Sequence, residues 1–227
     1  MTLIIATRNA HKVQEIKAIL GHPHEFLTLT DLPGAPVVIE DAGTFAGNAT
    51  KKAVELARYV AAQKNGRSVG NECFVLADDS GLEVEALNGA PGVHSARFAA
   101  MDKGLQGNSS DADNRTKLLR LLKGVPKEKR TARFRCVVAL TPVLLSAVQD
   151  SASPVCQADE FEIQTQSFEG ACEGRIITAE KGEGGFGYDS LFVPKGYDQT
   201  FGELSANIKN QLSHRAKALE KLRRGLA

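Results

Sequence analysis

The sequence has no tryptophan and only two methionines, and its four cysteines, Cys73, Cys136, Cys156 and Cys172, stand far apart. No C-x-x-C pair and no paired histidine spacing accompanies them, which excludes a common zinc framework. The thiols are expected to be reduced and mostly buried, acting as small hydrophobes. Long apolar runs are missing too: none approaches the ~20 residues that span a bilayer. Met1 to Ala6 runs directly into polar residues without a basic segment or a cleavage site, so a cytoplasmic protein with no membrane contact is expected. An excess of charge of one sign is also absent, with 28 Lys+Arg against 27 Asp+Glu and a formal net charge of +1. That balance disfavours the broad phosphate-backbone footprint that long nucleic acids require. What is present is a chain of 227 residues, 42% of them hydrophobic, enough for one domain or for two tight lobes sharing a sheet.

Hydrophobic spacing divides the chain into alternating strands and helices. Leu3-Ile4-Ile5-Ala6 reads as a short buried strand, and Val13, Ile16, Ile19 and Leu20 as one face of a helix stopped by Gly21. Val37-Val38-Ile39 reads as another strand, and a helix is predicted from Thr44 with Phe45, Ala49, Ala53, Leu56, Ala57 and Val60 on its apolar face. Cys73 to Ala77 is a compact apolar strand expected to end in a turn at Asp78-Asp79-Ser80-Gly81, followed by a half-exposed strand through Leu82, Val84 and Ala86. A helix is predicted from about Asp111 to Lys123, capped by Ser109-Ser110 and stopped by Gly124, with Leu118, Leu119, Leu121 and Leu122 buried. Ala132 to Leu140 and Phe161 to Phe168 read as paired antiparallel strands, with residues 143–159 between them a surface excursion. A glycine-rich loop from Gly182 to Gly187, a short apolar piece at Leu191-Phe192-Val193 and a basic helix from about Ser213 complete the chain. The fold class is α/β with a mixed sheet, and the chain, 1–227, is expected to form one domain.

Four polar clusters interrupt this pattern. Thr7-Arg8-Asn9-Ala10-His11-Lys12 sits where a buried strand hands over to a helix, so the free N–H groups and dipole of that helix, with Lys12 beside them, suit an anion such as phosphate. Asp78-Asp79 places two carboxylates at the end of an apolar strand, where a divalent cation would relieve their repulsion, and Glu40 is the best second oxygen donor upstream. Alternation along a strand lets at most one of the pair point into a site unless the backbone turns. Gly182 to Asp189 offers close backbone approach and a ring, Phe186 or Tyr188, on which a base could stack. Lys209 to Arg215 is dense in hydrogen-bond donors. Each cluster has an ordinary structural reading by itself: a helix cap, an Asp-Ser-Gly turn, a flexible loop, a basic helix surface. The histidines His22, His24 and His94 are assigned to surface or loop roles. Jointly the four clusters compose the parts of a metal-dependent nucleotide enzyme.

The motifs resemble those of the inosine triphosphate pyrophosphatases, the XTP/dITP diphosphatases. The matching pieces are Thr7-x-Asn9-x-x-Lys12, Thr44-Phe45 with Asn48-Ala49 and Lys52-Ala53, Ala77 to Leu82, Gly89 to Val93 with Ser95-Ala96-Arg97, Gly185 to Asp189, and Lys209-Asn210 with Ser213-His214-Arg215. They occur in family order along nearly the whole chain. The resemblance implies an elongated mixed sheet flanked by helices, two lobes around an active-site cleft, and a homodimer. It implies that Thr7, Arg8, Asn9, Ala10, His11 and Lys12 bind substrate, with Thr7, Asn9 and Lys12 on the triphosphate. Asp79 would be catalytic base and metal ligand, Glu40 a second ligand to Mg²⁺, with Mn²⁺ as an alternative. Ser80, Phe186, Gly187, Tyr188, Asp189, Lys209, His214 and Arg215 would bind the nucleotide. The chain departs from the family pattern at Arg8, where glycine is frequent, at Gly47, where glutamate is usual, at Ser190, where proline is usual, and through residues 143–159.

The implied reaction converts a non-standard purine triphosphate (ITP, dITP or XTP) to monophosphate and pyrophosphate, and so keeps such bases out of DNA and RNA. Two other functions use the same residues: a regulatory module that binds triphosphate without turnover, and a single-stranded nucleic-acid binder, which the near-neutral charge disfavours.

Overall fold

In the computed structural model, which describes residues 1–63, 72–104, 107–144 and 160–225, the chain divides into two compact units. The first comprises Met1–Asp79, Val137–Phe168 and Leu219–Ala227, the second Ser80–Cys136 and Glu169–Ala218. Among the described residues six strands, β1 (Thr2–Ile5), β2 (Glu25–Thr28), β3 (Cys73–Val84), β4 (Thr131–Pro142), β5 (Gln166–Ile176) and β6 (Phe192–Pro194), form one sheet in the order β2-β1-β3-β4-β5-β6. The sheet is mixed: β1 runs parallel to both β2 and β3, and β5 antiparallel to β6.

In the first unit Leu3, Ile4 and Ile5 are fully buried, as a strand flanked on both sides demands. Helix α1 (Ala10–Leu20) follows, burying Ile16 and Leu20 and ending at Gly21, which adopts φ +62. Helix α2 (Phe45–Gln63) buries Phe45, Ala49, Ala53, Leu56, Ala57 and Val60, the face its periodicity predicts, and packs against the short helix α4 (Glu160–Ile163).

The second unit is built on a core that includes Leu82, Val84, Leu118, Leu122, Phe134 and Phe192. Phe134 packs edge-on against Phe192 with ring centroids 4.7 Å apart, and the His214 ring lies nearly flat on Phe134 at 4.8 Å. Helix α3 (Asp111–Leu121) starts at the Ser110 cap, whose side chain accepts from the Asp113 N–H. The C-terminal helices α5 (Ala206–Leu212) and α6 (His214–Gly225) are separated at Ser213, whose ψ of 161 breaks the helical path.

Several expectations are corrected. Val37-Val38-Ile39 is irregular, with Val37 76% and Ile39 69% exposed; β-branched residues favour a strand only where a neighbouring strand supplies hydrogen bonds. β1 lies between β3 and β2, the latter a short segment whose side chains are mostly half-buried. No turn occurs at Asp78 to Gly81: β3 continues through it to Val84, because buried polar partners receive those side chains within the strand. Phe161 to Ile163 is helical, with Glu160 and Glu162 favouring its N-terminal end, and the strand begins at Gln166. Leu121 is 43% exposed, whereas Leu118 and Leu122 are fully buried. Lys209 lies on a helix of its own before the basic one. Residues 145–159 of the expected surface excursion, with Cys156, lie outside the described residues. Cys73, Cys136 and Cys172 are buried thiols outside any disulfide, and burial pushes the Cys172 thiol up to about 11.

Candidate active site

The β1-to-α1 turn is held by its own polar side chains. Thr7 Oγ1 accepts from the Asn9 N–H, and Asn9 Oδ1 caps α1 by accepting from the N–H groups of His11 at 2.9 Å and Lys12 at 3.2 Å. Arg8, Asn9, Ala10 and His11 are exposed, and Arg8 reaches back to the Ala35 carbonyl. Lys12 turns to β3, where its Nζ meets Asp78 Oδ2 at 3.0 Å.

Both adjacent carboxylates of β3 are buried, Asp78 at 1% and Asp79 at 5% exposure. Strand alternation sends them to different partners. Asp78 takes Lys12, while Asp79 Oδ2 accepts from Asn48 Nδ2 at 3.1 Å and Asp79 Oδ1 faces Lys52 Nζ at 3.4 Å. Lys52 is the hub of this cluster. Its Nζ also donates to Glu40 Oε1 at 3.0 Å and to the Asp78 carbonyl at 2.7 Å. Glu40 and Asp79, thirty-nine positions apart in the chain, therefore converge on one positive charge.

The electrostatics of the cluster are set by burial and by that ammonium. Burial raises the Asp79 carboxyl above the ordinary carboxylate range, and the opposing pull of Lys52 and Lys12 does not cancel it. For Lys52, burial favours the neutral amine, but Asp79, Glu40 and Asp78 together outweigh it and hold the ammonium above its ordinary value. One cation shared among three acceptors is thus firmly charged, while each acid receives only part of it. Asp79 is left a stronger base than a surface carboxylate.

A second polar set lies in the second unit. Asp189 and Lys209, 4% and 5% exposed, form an ion pair at 2.6 Å, and the same Asp189 oxygen accepts from the Phe186 N–H at 2.8 Å. Lys209 Nζ lies 4.7 Å from the centroid of the half-buried Phe186 ring. Arg215, 1% exposed, donates to Ser80 Oγ at 2.9 Å, with its guanidinium carbon 5.8 Å from the same ring. Tyr188 is buried and donates its hydroxyl to the Ser95 carbonyl at 2.8 Å, so it anchors the loop. Its hydroxyl is held protonated by burial first and by Asp111 second.

The structure thus brings Lys12, Glu40 and Asp79 into one network in the first unit, and Ser80, Phe186, Asp189, Lys209 and Arg215 into one polar and aromatic set in the second, whereas Gly187 bonds to Asp111 and Arg115 and His214 stacks on Phe134. Lys52 and Asn48 were not singled out as site residues from sequence. Their signal was present, since the i, i+4 spacing puts both on one turn-separated face of α2. Among the described residues no group of three or more His, Cys, Asp or Glu side chains could hold a metal ion. Among them also, no helix is long and apolar enough to cross a membrane.

Residues 3–225 match the family model described as the Ham1 family. The chain is 44% identical over 222 residues to the dITP/XTP pyrophosphatase of Desulforamulus reducens, covering 97% of this chain and 93% of that protein. It is 42% identical to the dITP/XTP pyrophosphatase of Shouchella clausii, covering 97% and 94%. Its fold is similar to that of a HAM1 protein from Coxiella burnetii, with a TM-score of 0.74 at 32% identity over 100% of this chain and 98% of the other. It is also similar to a nucleoside-triphosphatase, dITP/XTP pyrophosphatase, from Mycobacterium abscessus, with a TM-score of 0.67 at 33% identity over 98% of both chains.

Proposed function

The chain belongs to the Ham1 family, and we propose that it is a nucleoside-triphosphate pyrophosphatase that hydrolyses non-standard purine nucleotides, dITP, ITP and XTP, to the monophosphate and pyrophosphate. The structural observation that carries the reading is the convergence of Glu40 and Asp79 on Lys52 Nζ. Two carboxylates already gathered around one cation, beside the Lys12 ammonium, form a donor set suited to a hard divalent ion and a triphosphate.

Glu40 and Asp79 are the residues that would hold Mg²⁺, or Mn²⁺ in its place, the remaining ligands being water and phosphate oxygens. When bound, the ion supplies charge neutralisation at the phosphate oxygens. Asp79 takes the proton from a water molecule as its oxygen attacks the α-phosphorus. The new bond is from that oxygen to the α-phosphorus, and the bond that breaks joins the α-phosphorus to the bridging oxygen, which leaves with pyrophosphate. Lys12 and Lys52 offset negative charge in the first unit, with Thr7 and Asn9 shaping the triphosphate turn. In the second unit Phe186 offers a stacking face for the purine, and Arg215 donates to the 6-oxo group of hypoxanthine or xanthine. Adenine presents a donor there and is refused; unpaired polar groups of this kind separate substrates by about 10⁴-fold. Tyr188, Asp189, Lys209 and His214 support that layer, and Ser80 steadies Arg215. By the family resemblance the enzyme acts as a cytoplasmic homodimer, and it recognises free nucleotides without nucleic acid or membrane.

The test is a panel of ITP, dITP, XTP, ATP and GTP, with Mg²⁺ or with a chelator, scoring pyrophosphate against orthophosphate. Pyrophosphate from the first three and not from ATP, abolished by chelation, is the expected result. Orthophosphate, or equal rates with ATP, would overturn it. Light scattering on the same sample reports the oligomeric state.

A further inference from the structure

Helix α3 grips the aromatic glycine loop from outside the residues so far assigned to the site. The Gly187 N–H donates to Asp111 Oδ2 at 2.6 Å, and the Gly187 carbonyl accepts from Arg115 Nη1 at 2.9 Å. Asp111 and Arg115 are four residues apart on α3, so they lie on the same face. Together they hold both polar groups of one residue whose φ of +63 is a conformation glycine adopts without strain. Arg115 is braced in turn: its Nε donates to Glu180 Oε2 at 2.8 Å, and that oxygen also accepts from Ser190 Oγ at 3.0 Å. Ser190 stands where proline is usual in the resembling family, and proline has no hydroxyl with which to donate to Glu180.

The consequence falls on Phe186. Its N–H is held by Asp189, and the next peptide is held by α3, so the backbone on both sides of its Cα is fixed. Only the side-chain torsions then remain to place the ring. We propose that Asp111 and Arg115, braced by Glu180 and Ser190, are positioning residues that preset Phe186 for the purine, so that α3 governs affinity for the nucleoside end of the substrate and not for its triphosphate. The inference rests on the reading of Phe186 as the stacking face. The contacts are charge-assisted and are made before any ligand arrives. Without them the ordering of the loop must be met from binding energy, and KM rises.

The test compares full-length wild-type enzyme with Arg115→Met, Asp111→Ala and Asp111→Asn, the last keeping an oxygen that can accept from Gly187. ITP turnover gives kcat and KM, inorganic tripolyphosphate serves as a competitive inhibitor reporting the triphosphate end, and thermal melts report folding. Arg115→Met and Asp111→Ala are expected to raise the ITP KM about tenfold, with kcat within about threefold of wild type. The tripolyphosphate Ki should stay at the wild-type value, and Asp111→Asn should retain most of the wild-type KM. A flat ITP KM in the folded variants overturns the proposal. So does a parallel rise in the tripolyphosphate Ki, or a fall in kcat and melting temperature with both constants unmoved, the pattern of a purely structural role. If Arg115→Met fails to fold, Arg115→Lys, which keeps the charge but not the two-pronged contact, must show the same KM rise. Wild-type enzyme that releases no pyrophosphate from ITP overturns the functional reading and this proposal together; wild-type release with unchanged variants overturns the proposal alone.

Discussion

Arg215 Nη2 and Ser80 Oγ lie 2.9 Å apart, and Ser80 directly follows Asp79 in β3. The strand that carries the proposed base thus also fixes the guanidinium proposed to read the purine. Ser80→Ala is expected to lower kcat/KM for ITP by about tenfold, the usual worth of a hydrogen bond to a charged group. It should also narrow the preference for ITP over ATP, since adenine gains nothing from a donor at that position. Steady-state constants for both substrates decide the matter; equal losses for the two would place Ser80 on a part of the substrate they share.

Asp79 makes opposite demands on activity and stability. Its folded-state pKa is raised, by burial first, against the pull of Lys52 and Lys12. A carboxyl of this kind binds its proton more tightly when folded than when unfolded. Its contribution to stability is therefore lost as pH climbs from the ordinary carboxylate range through the raised value, and stays lost above it. Asparagine carries no such cost. Asp79→Asn is expected to reduce kcat by about 10²-fold or more, yet to melt no lower than wild type at neutral pH in metal-free buffer. The difference in melting temperature should shrink as the pH falls toward that of a free carboxylate. A variant that melts well below wild type at neutral pH would show that the Lys52 and Asn48 contacts outweigh the burial of the charge.

Lys12 has a structural duty besides its proposed one at the triphosphate. Its ammonium faces Asp78, whose side chain is 0% exposed, so Lys12→Met would take an ion-pair partner from a carboxylate in the interior. Removing one partner of a buried pair costs about 3 kcal/mol or more, far above what a surface lysine is worth. Urea denaturation of Lys12→Met should show that loss, and the double variant with Asp78→Asn should recover much of it while remaining slow on ITP. If the double variant were no more stable than the single one, the Lys12 stem, and not its charge, would be what the fold needs.

These relationships show where the sequence was legible. The apolar face of α2 could be read because helical periodicity is local, and each of its apolar positions recurs within a turn or two. Val37 to Ile39 misled because strand preference is local but strand pairing is not, and among the described residues these three take part in no strand. The same limit governed β3. Four polar residues after an apolar run have the composition of a turn, and only the arrival of Lys12, Lys52, Asn48 and Arg215 from elsewhere makes a continuous buried strand affordable. Glu40 and Asp79 could be singled out as oxygen donors, and the Phe186 loop as an aromatic glycine loop, because their residue types carry chemistry whatever the fold. Lys52 and Arg115 were not, for a lysine or arginine on an amphipathic helix reads as a solvated face until its partner, 27 or 72 positions away, is known.

Gly47 tests how tightly the acid cluster is framed. It occupies the first turn of α2, where Gly→Ala ordinarily gains about 1 kcal/mol of helix stability. A Cβ at this position, however, would lie 2.8 Å from the Ala42 Cβ and 3.1 Å from Thr44 Oγ1. Two carbons prefer about 3.5 to 4.0 Å, so the segment at Ala42 must retreat. That segment is not independent of the site: the Ala42 N–H donates to Asn48 Oδ1, and the Asn48 amide donates to Asp79 Oδ2. Gly47→Ala is therefore expected to forgo the helix gain and to lower kcat/KM for ITP several-fold by loosening Asn48 from Asp79, with the helix content unchanged by circular dichroism. Gly47→Glu, which restores the acid usual in the resembling family, should lose activity for the same reason and not gain a ligand. An alanine variant that melts higher and turns over at the wild-type rate would show that Ala42 yields freely and that Asn48 does not depend on it.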